Sequence, residues 1–208
     1  MSNKIGWGLM TFLSLGIVLV ASRYLTLNPD VFFSQQQAVY LAHRTGIIVH
    51  VIGGMLALGL GPFQFLSGLR PKHPTIHRWI GRFYLLGILL GGVAGLYMAT
   101  FAYTGPIASL GFGTLALLWL TTGTLAYRSI RRGDITAHRR WMVRNFALTF
   151  AAVTLRLQLP FLSIGFGDEI GYMIVAWSSW IPNLLLIEWF LNRRQTVIRH
   201  HPSTAGAD

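Results

Sequence analysis

Six long apolar runs decide what this chain can fold into. They cover roughly residues 5–21, 41–66, 79–103, 107–127, 141–164 and 170–191. Each is near or above the ~20 residues that an α-helix needs to cross a ~30 Å hydrocarbon core. The runs are continuous and do not alternate, which disfavours a β-barrel. The expected fold is therefore all-α: a polytopic membrane helix bundle of about six transmembrane helices. A single integral membrane domain is expected over 1–208. Its first helix, at about 5–21, is peripheral or a signal-anchor, its core helices span about 41–191, and 192–208 form a polar tail.

Composition supports this. The chain is 53% hydrophobic and 11% charged, against about 25% charged for an ordinary soluble domain. It cannot coat a globular surface with charge, and it is too apolar to be disordered. With no cysteine, disulfides, thiol nucleophiles and thiolate metal sites are excluded. In the first run Lys4 is a basic n-region and Ala21-Ser22 a cleavage point. Leu19 is nevertheless a poor residue where a small side chain is needed, so an uncleaved helix is expected.

Seventeen basic residues against six acidic give a net charge of +11. On a soluble chain this would point to nucleic acid. Position removes that reading. Fourteen of the seventeen fall on one side of the expected topology: Lys4, then Arg70, Lys72, Arg78 and Arg82, then Arg128, Arg131, Arg132, Arg139, Arg140 and Arg144, then Arg193, Arg194 and Arg199. Arg23 and Arg44 fall on the other, and Arg156 lies inside the fifth run. The positive-inside rule then places both termini in the cytoplasm, in a cell (inner) membrane. Most of the charge reads as orientation signal and contact with anionic lipid head groups. The bilayer is the expected partner, nucleic acid is not, and a homo-oligomer or a membrane complex is the further candidate.

Two helix entries on the basic side look alike. One reads Thr75-Ile76-His77-Arg78-Trp79-Ile80-Gly81-Arg82-Phe83, the other Thr136-Ala137-His138-Arg139-Arg140-Trp141-Met142-Val143-Arg144-Asn145-Phe146. A parallel repeat of helical hairpins is one source of such a match. Pro74 suits the first helical turn, and Asp134 is placed to cap the next entry. Arg78 and Arg82, and likewise Arg140 and Arg144, are four apart and share a helix face. Near a helix N-terminus such faces attract anions, lipid phosphate being the plain case and a dedicated ligand site the sharper one.

Ionisable groups at membrane depth mark functional sites by default. At ~1.5 Å per residue His50 lies roughly 13 Å and Arg156 roughly 12 Å from the outer end. Each also has a plain reading, as a core histidine or a packing arginine, the latter snorkelling towards Asp168 and Glu169. His43, His73, His200 and His201 are expected to be solvated. Gln64, His77, His138, Arg139 and Glu188 are candidates for one polar layer near the inner boundary. Gly87, Gly91 and Gly95 form a small-residue stripe for close helix packing. Pro182 frees a carbonyl and kinks the sixth helix beside Asn183. The candidate cofactor- or ligand-binding residues are thus His50, His77, Arg78, Arg82, His138, Arg139, Arg140, Arg144 and Arg156.

No Walker A, GxSxG, HExxH or GxGxxG motif occurs, so the reading leans away from an enzyme. The combination Gly61-Pro62-Phe63-Gln64-Phe65, His77-Arg78-Trp79-x-Gly81-Arg82-Phe83-Tyr84 and His138-Arg139-Arg140-Trp141-Met142-x-Arg144 resembles the bacterial predicted membrane proteins of domain-of-unknown-function family twenty-three-oh-six. Leu148-Thr149, Ala152-Val153-Thr154-Leu155-Arg156-Leu157 and Trp177-x-x-Trp180-x-Pro182-Asn183 complete the resemblance. It implies multi-pass architecture and a bacterial membrane, and supplies no catalytic residue. Three functions remain in competition: binding or transport of an anionic or amphipathic ligand at the Arg/His groups, a haem b redox protein using two histidines, and a structural or assembly subunit of a membrane complex.

Overall fold

The computed structural model describes residues 4–66 and 68–200, with side chains described as far as Arg193. His200, His201 and most of the expected polar tail lie outside the described side chains. Among the described residues every regular element is helical: α1 (Lys4–Ser22), α2 (Gln37–Ala42), α3 (Arg44–Gln64), α4 (Leu69–Lys72), α5 (Pro74–Ala99), α6 (Pro106–Arg131), α7 (Ile135–Thr149), α8 (Ala151–Phe166), α9 (Asp168–Ser178) and α10 (Ile181–His200). Three short 3₁₀ turns, Arg23–Thr26, Pro29–Val31 and Ser34–Gln36, join α1 to α2.

Six segments are long and apolar enough to cross a membrane: Lys4–Thr26, Arg44–Gln64, Pro74–Ala99, Pro106–Arg131, Ile135–Phe166 and Asp168–Arg193. The six expected runs are all present. The last two spans are each broken into two helices, α7–α8 at Phe150 and α9–α10 at Ser179-Trp180. Ile5, Phe12, Leu19, Phe161 and Ile164 are each more than 70% exposed, which suits lipid and would be a liability in water.

Helix starts at the basic end extend beyond the apolar runs because the chain caps them there. Pro74 occupies the first turn of α5, where its missing N–H costs nothing. The Asp134 carboxylate accepts from Ala137 N at 2.8 Å and caps α7. His77 and His138 consequently sit in or just beyond the first turn, as expected.

The helices pack α1 on α3, α3 on α5, α5 on α6, and α6 on both α7 and α9. α7 runs along the middle, touching α3, α6 and α10, and buries Met142 and Asn145 to Thr149. The α3–α5 contact is a glycine seam. A Cβ on Gly53 would lie 2.2 Å from Gly91 N, and one on Gly87 would lie 2.8 Å from Gly53 O. Hydrocarbon gives helices no hydrophobic drive to associate, so close backbone approach of this kind supplies it.

The centre is polar. Asn145 is fully buried. Its Oδ1 accepts from Tyr84 OH at 2.6 Å, and its Nδ2 donates to Trp119 O and Thr122 Oγ1, both at 2.8 Å. Trp119 Nε1 donates to Thr149 Oγ1 at 2.8 Å. The network fastens α5, α6 and α7 together.

The two helix breaks face each other. Pro182 leaves the Ser178 carbonyl without its helical donor, and Gln158 Nε2 donates to it at 3.5 Å. Asn183 Nδ2 lies 2.9 Å from Thr154 Oγ1, 3.0 Å from Ser179 O and 3.3 Å from Ala147 O. It therefore bridges residues on both sides of the Phe150 break. At the periphery, Trp7 Nε1 donates to Pro62 O at 2.9 Å and anchors α1.

Gly53→Ala is expected to lower stability by about 1–3 kcal/mol or more, the cost of overpacking. Gly54→Ala, with nothing within 4 Å of the added methyl, is expected to be neutral. Thermal unfolding of the two variants in one detergent checks the contrast. Asn145→Ala removes three interhelical hydrogen bonds at once, leaving Tyr84 OH only Thr149 and Thr122 only α6 carbonyls, and is expected to cost about 1–3 kcal/mol, read from the same melts.

Candidate functional site

The repeated entries take up the same local geometry. The Arg82 guanidinium carbon lies 4.6 Å from the Trp79 ring centroid, and that of Arg144 lies 4.8 Å from the Trp141 centroid. In both, arginine and tryptophan are three residues apart and so adjacent on the helix surface.

Their surroundings then diverge. Arg144 reaches across to α10 and holds Glu188 with two hydrogen bonds, Nε to Oε1 at 2.5 Å and Nη2 to Oε2 at 2.8 Å. This is the one salt bridge among the described residues. The Arg144 side chain is 13% exposed and that of Glu188 35%. The fork geometry matches two parallel N–H donors to two carboxylate oxygens. Arg144 and Glu188 are thus paired with each other, and neither lines the cleft formed by the other residues of the expected inner-boundary layer. Four-residue spacing had put Arg144 on one face with Arg140, but an acid within reach draws it away.

The rest of that layer forms a cleft of about 1570 Å³ between α5, α6 and α7, with the α3–α4 connection at one side and Leu191 of α10 also lining it. His77, Arg78, Arg82, His138, Arg139 and Arg140 all line it, as does Gln64. Arg70 and Arg131 join them. Sequence reasoning had counted these two arginines only as orientation signal. Among the described residues no aspartate or glutamate lines the cleft. Its inner wall is apolar, with Leu85, Ile88, Leu89, Leu120 and Met142. Leu89 is 55% exposed, so the apolar wall runs out to the lipid face.

Polar atoms inside the cleft differ in how they are satisfied. His138 Nδ1 lies 2.9 Å from Ala126 O. A carbonyl only accepts, so Nδ1 carries the hydrogen, and in the neutral tautomer this selects, Nε2 is the lone-pair nitrogen. His77 Nδ1 and Gln64 Nε2 are buried and have no hydrogen-bond partner. Both residues line the cleft, but these two atoms are covered by the protein itself.

The two expected mid-span groups lie apart from this cleft. His50 Nδ1 bonds Gly91 O at 2.8 Å, and its ring fills the space where a Cβ on Gly95 would meet it at 2.7 Å. It packs on the glycine seam. Arg156 Nη1 donates to Ala152 O at 3.0 Å, and no acid among the described residues pairs with it. The snorkelling expected towards Asp168 is not what forms: Asp168 accepts from Gln35 Nε2 at 2.7 Å instead. Arg156 faces tyrosines. Burial pushes the Tyr40 hydroxyl well above its ordinary pKa, neighbouring Tyr172 and Tyr24 push the same way, and Arg156 pulls it back. His43 also departs from simple solvation. Its Nδ1 lies 2.7 Å from Tyr97 OH, and its ring stacks on Phe101 at 3.9 Å.

Residues 47–191 match the model of a family described as predicted membrane protein, DUF2306. The chain belongs to that family. The matched segment contains α5 to α9 in full, most of α3, and α10 as far as Leu191, so the whole cleft lies within the DUF2306 region. No curated protein and no solved structure matches the chain.

Glu188→Ala strands the Arg144 guanidinium and is expected to cost about 1–3 kcal/mol, the scale of hydrogen bonds to charged groups. The double variant Arg144→Met, Glu188→Leu is expected to recover most of it, because replacing both members of a pair removes the orphan charge. Melting temperatures of the single and double variants test the coupling.

Proposed function

We propose that this DUF2306 protein is a multi-pass membrane protein that binds, for holding or for transport, an anionic amphiphile in the cleft between α5, α6 and α7. One observation carries the reading: six arginines, Arg70, Arg78, Arg82, Arg131, Arg139 and Arg140, line the mouth of a cleft with no acid, above an apolar wall. Uncompensated like charges repel, and an anion relieves them. The apolar wall is matched to a chain that stays in lipid. The positive-inside rule supports a cytoplasmic position for this end.

A second reading rests on the histidines. His77 and His138 line one cleft, and the lone-pair Nε2 of His138 suits an iron ligand, with arginines to pair propionates. It implies a haem b cleft.

One purified sample tests both. The amphiphile reading expects co-purifying lipid enriched in anionic species relative to the surrounding membrane. That enrichment is expected to disappear in a variant with Arg78, Arg131, Arg139 and Arg140 all changed to Ala. Unchanged lipid in that variant, with its melt intact, sinks the reading. A Soret band in oxidised and dithionite-reduced spectra from haem-replete cells decides for the second reading, and its absence ends it.

A further inference from the structure

We infer that the two copies of the entry motif have divided roles: the α7 copy closes its arginine on the protein's own Glu188, while the α5 copy keeps Arg82 open as the seat of a lipid's terminal phosphoryl group. The inference rests on the amphiphile reading of the cleft and names the head group.

The molecule contains its own comparison. Arg82 and Arg144 rest on the same support, an indole three residues earlier at 4.6 and 4.8 Å. On that support Arg144 holds two carboxylate oxygens at 2.5 and 2.8 Å. Arg82 lies in a cleft without any carboxylate. Glu188 therefore shows what an arginine so mounted receives, a planar pair of oxygens, and Arg82 is mounted with that place open. A bidentate fork is the property that separates arginine from lysine at oxyanions.

The next donors lie beside it. The Gln64 amide sits against Gly81, the residue before Arg82. A Cβ on Gly81 would lie 3.4 Å from Gln64 Oε1 and 4.0 Å from Nε2. Gln64 Nε2 is buried with no acceptor, and His77 Nδ1, on the preceding turn of α5, is also unpaired. Arg82 shares the cleft lining with Gln64, His77 and five further arginines, a donor set that matches more acceptor oxygens than one carboxylate has. A terminal phosphoryl group offers three strong acceptor oxygens and about −1.5 to −2 charge at neutral pH. A diester head group has fewer free oxygens and a single charge. The class is therefore a lipid phosphomonoester or diphosphate, with its chains along Leu85 and Leu89.

The test uses the full-length protein, delipidated in detergent and titrated by native mass spectrometry. The probes are phosphatidic acid, phosphatidylglycerol of the same chains, and inorganic phosphate. Phosphatidic acid is expected to bind roughly tenfold tighter than the diester, the scale of one charge-assisted interaction. Arg82→Lys, which keeps the charge and loses the fork, is expected to erase that preference, and Arg82→Gln to abolish retention. The double variant Arg144→Met, Glu188→Leu is expected to keep the preference. Equal binding of the two lipids, or an unchanged preference in Arg82→Lys, overturns the inference and leaves the amphiphile reading standing. Free phosphate binding as tightly as phosphatidic acid overturns the lipid assignment. Failure of the wild type to retain any anionic lipid removes the amphiphile reading itself, and this inference with it.

Discussion

A buried amide in hydrocarbon has no water to turn to, and Asn145 is where this fold meets that constraint. Its carbonyl and amide groups bond α5 and α6 from α7. The network does more than satisfy itself, because the cleft is built on top of it. Met142 precedes Asn145 by one turn of α7 and lines the cleft. Gly123 lines it too, and a Cβ there would come within 3.4 Å of Asn145 Nδ2 and 3.0 Å of Ile88 Cγ2. The apolar cleft floor is thus directly the cover of the polar core. Interhelical hydrogen bonds of this kind are individually modest, but here they fix which helices stand around the cleft.

Above that floor the charges sort into two classes. Arg144 is internally neutralised and serves the α7–α10 contact. The arginines of the cleft are not neutralised by any acid in its lining. A chain of this composition has only six acidic residues to distribute, and it spends Glu188 on one entry motif and none on the other. At the opposite end, Arg156 donates to a backbone carbonyl and lies within electrostatic reach of Tyr24 and Tyr40, a polar and uncharged solution to the same problem.

Much of this was legible in the chain because it is local. Span count follows from apolar run length. The α5 and α7 starts follow from Pro74 and Asp134, and the close α3–α5 approach from the Gly87, Gly91, Gly95 stripe. The repeated entries supply His77, Arg78, Arg82, His138, Arg139 and Arg140 to the lining of one cleft. What escaped depends on contacts distant in sequence. Nothing near Arg144 announces Glu188, which lies 44 residues on and is brought there only by α10 packing on α7. The α9–α10 break has Pro182 as its marker, but the break at Phe150 has neither proline nor glycine to signal it. Depth alone singled out His50, and its bond to the Gly91 carbonyl depends on the α3–α5 contact, which its own neighbours do not announce.

The helix breaks give the bundle an uneven mechanical character. α3 and α5 are unbroken over 21 and 26 residues, and their glycine seam brings the two backbones into direct contact, so they act as a stiff beam. α7 and α10 each begin or end at a break inside a span, and are clipped to each other by Arg144 and Glu188. A single amide, Asn183, stitches both of their discontinuities. They form a jointed arm laid beside the beam. Part of the basic cleft is the gap between beam and arm, so the Asn183 stitch sits at the pivot of its width.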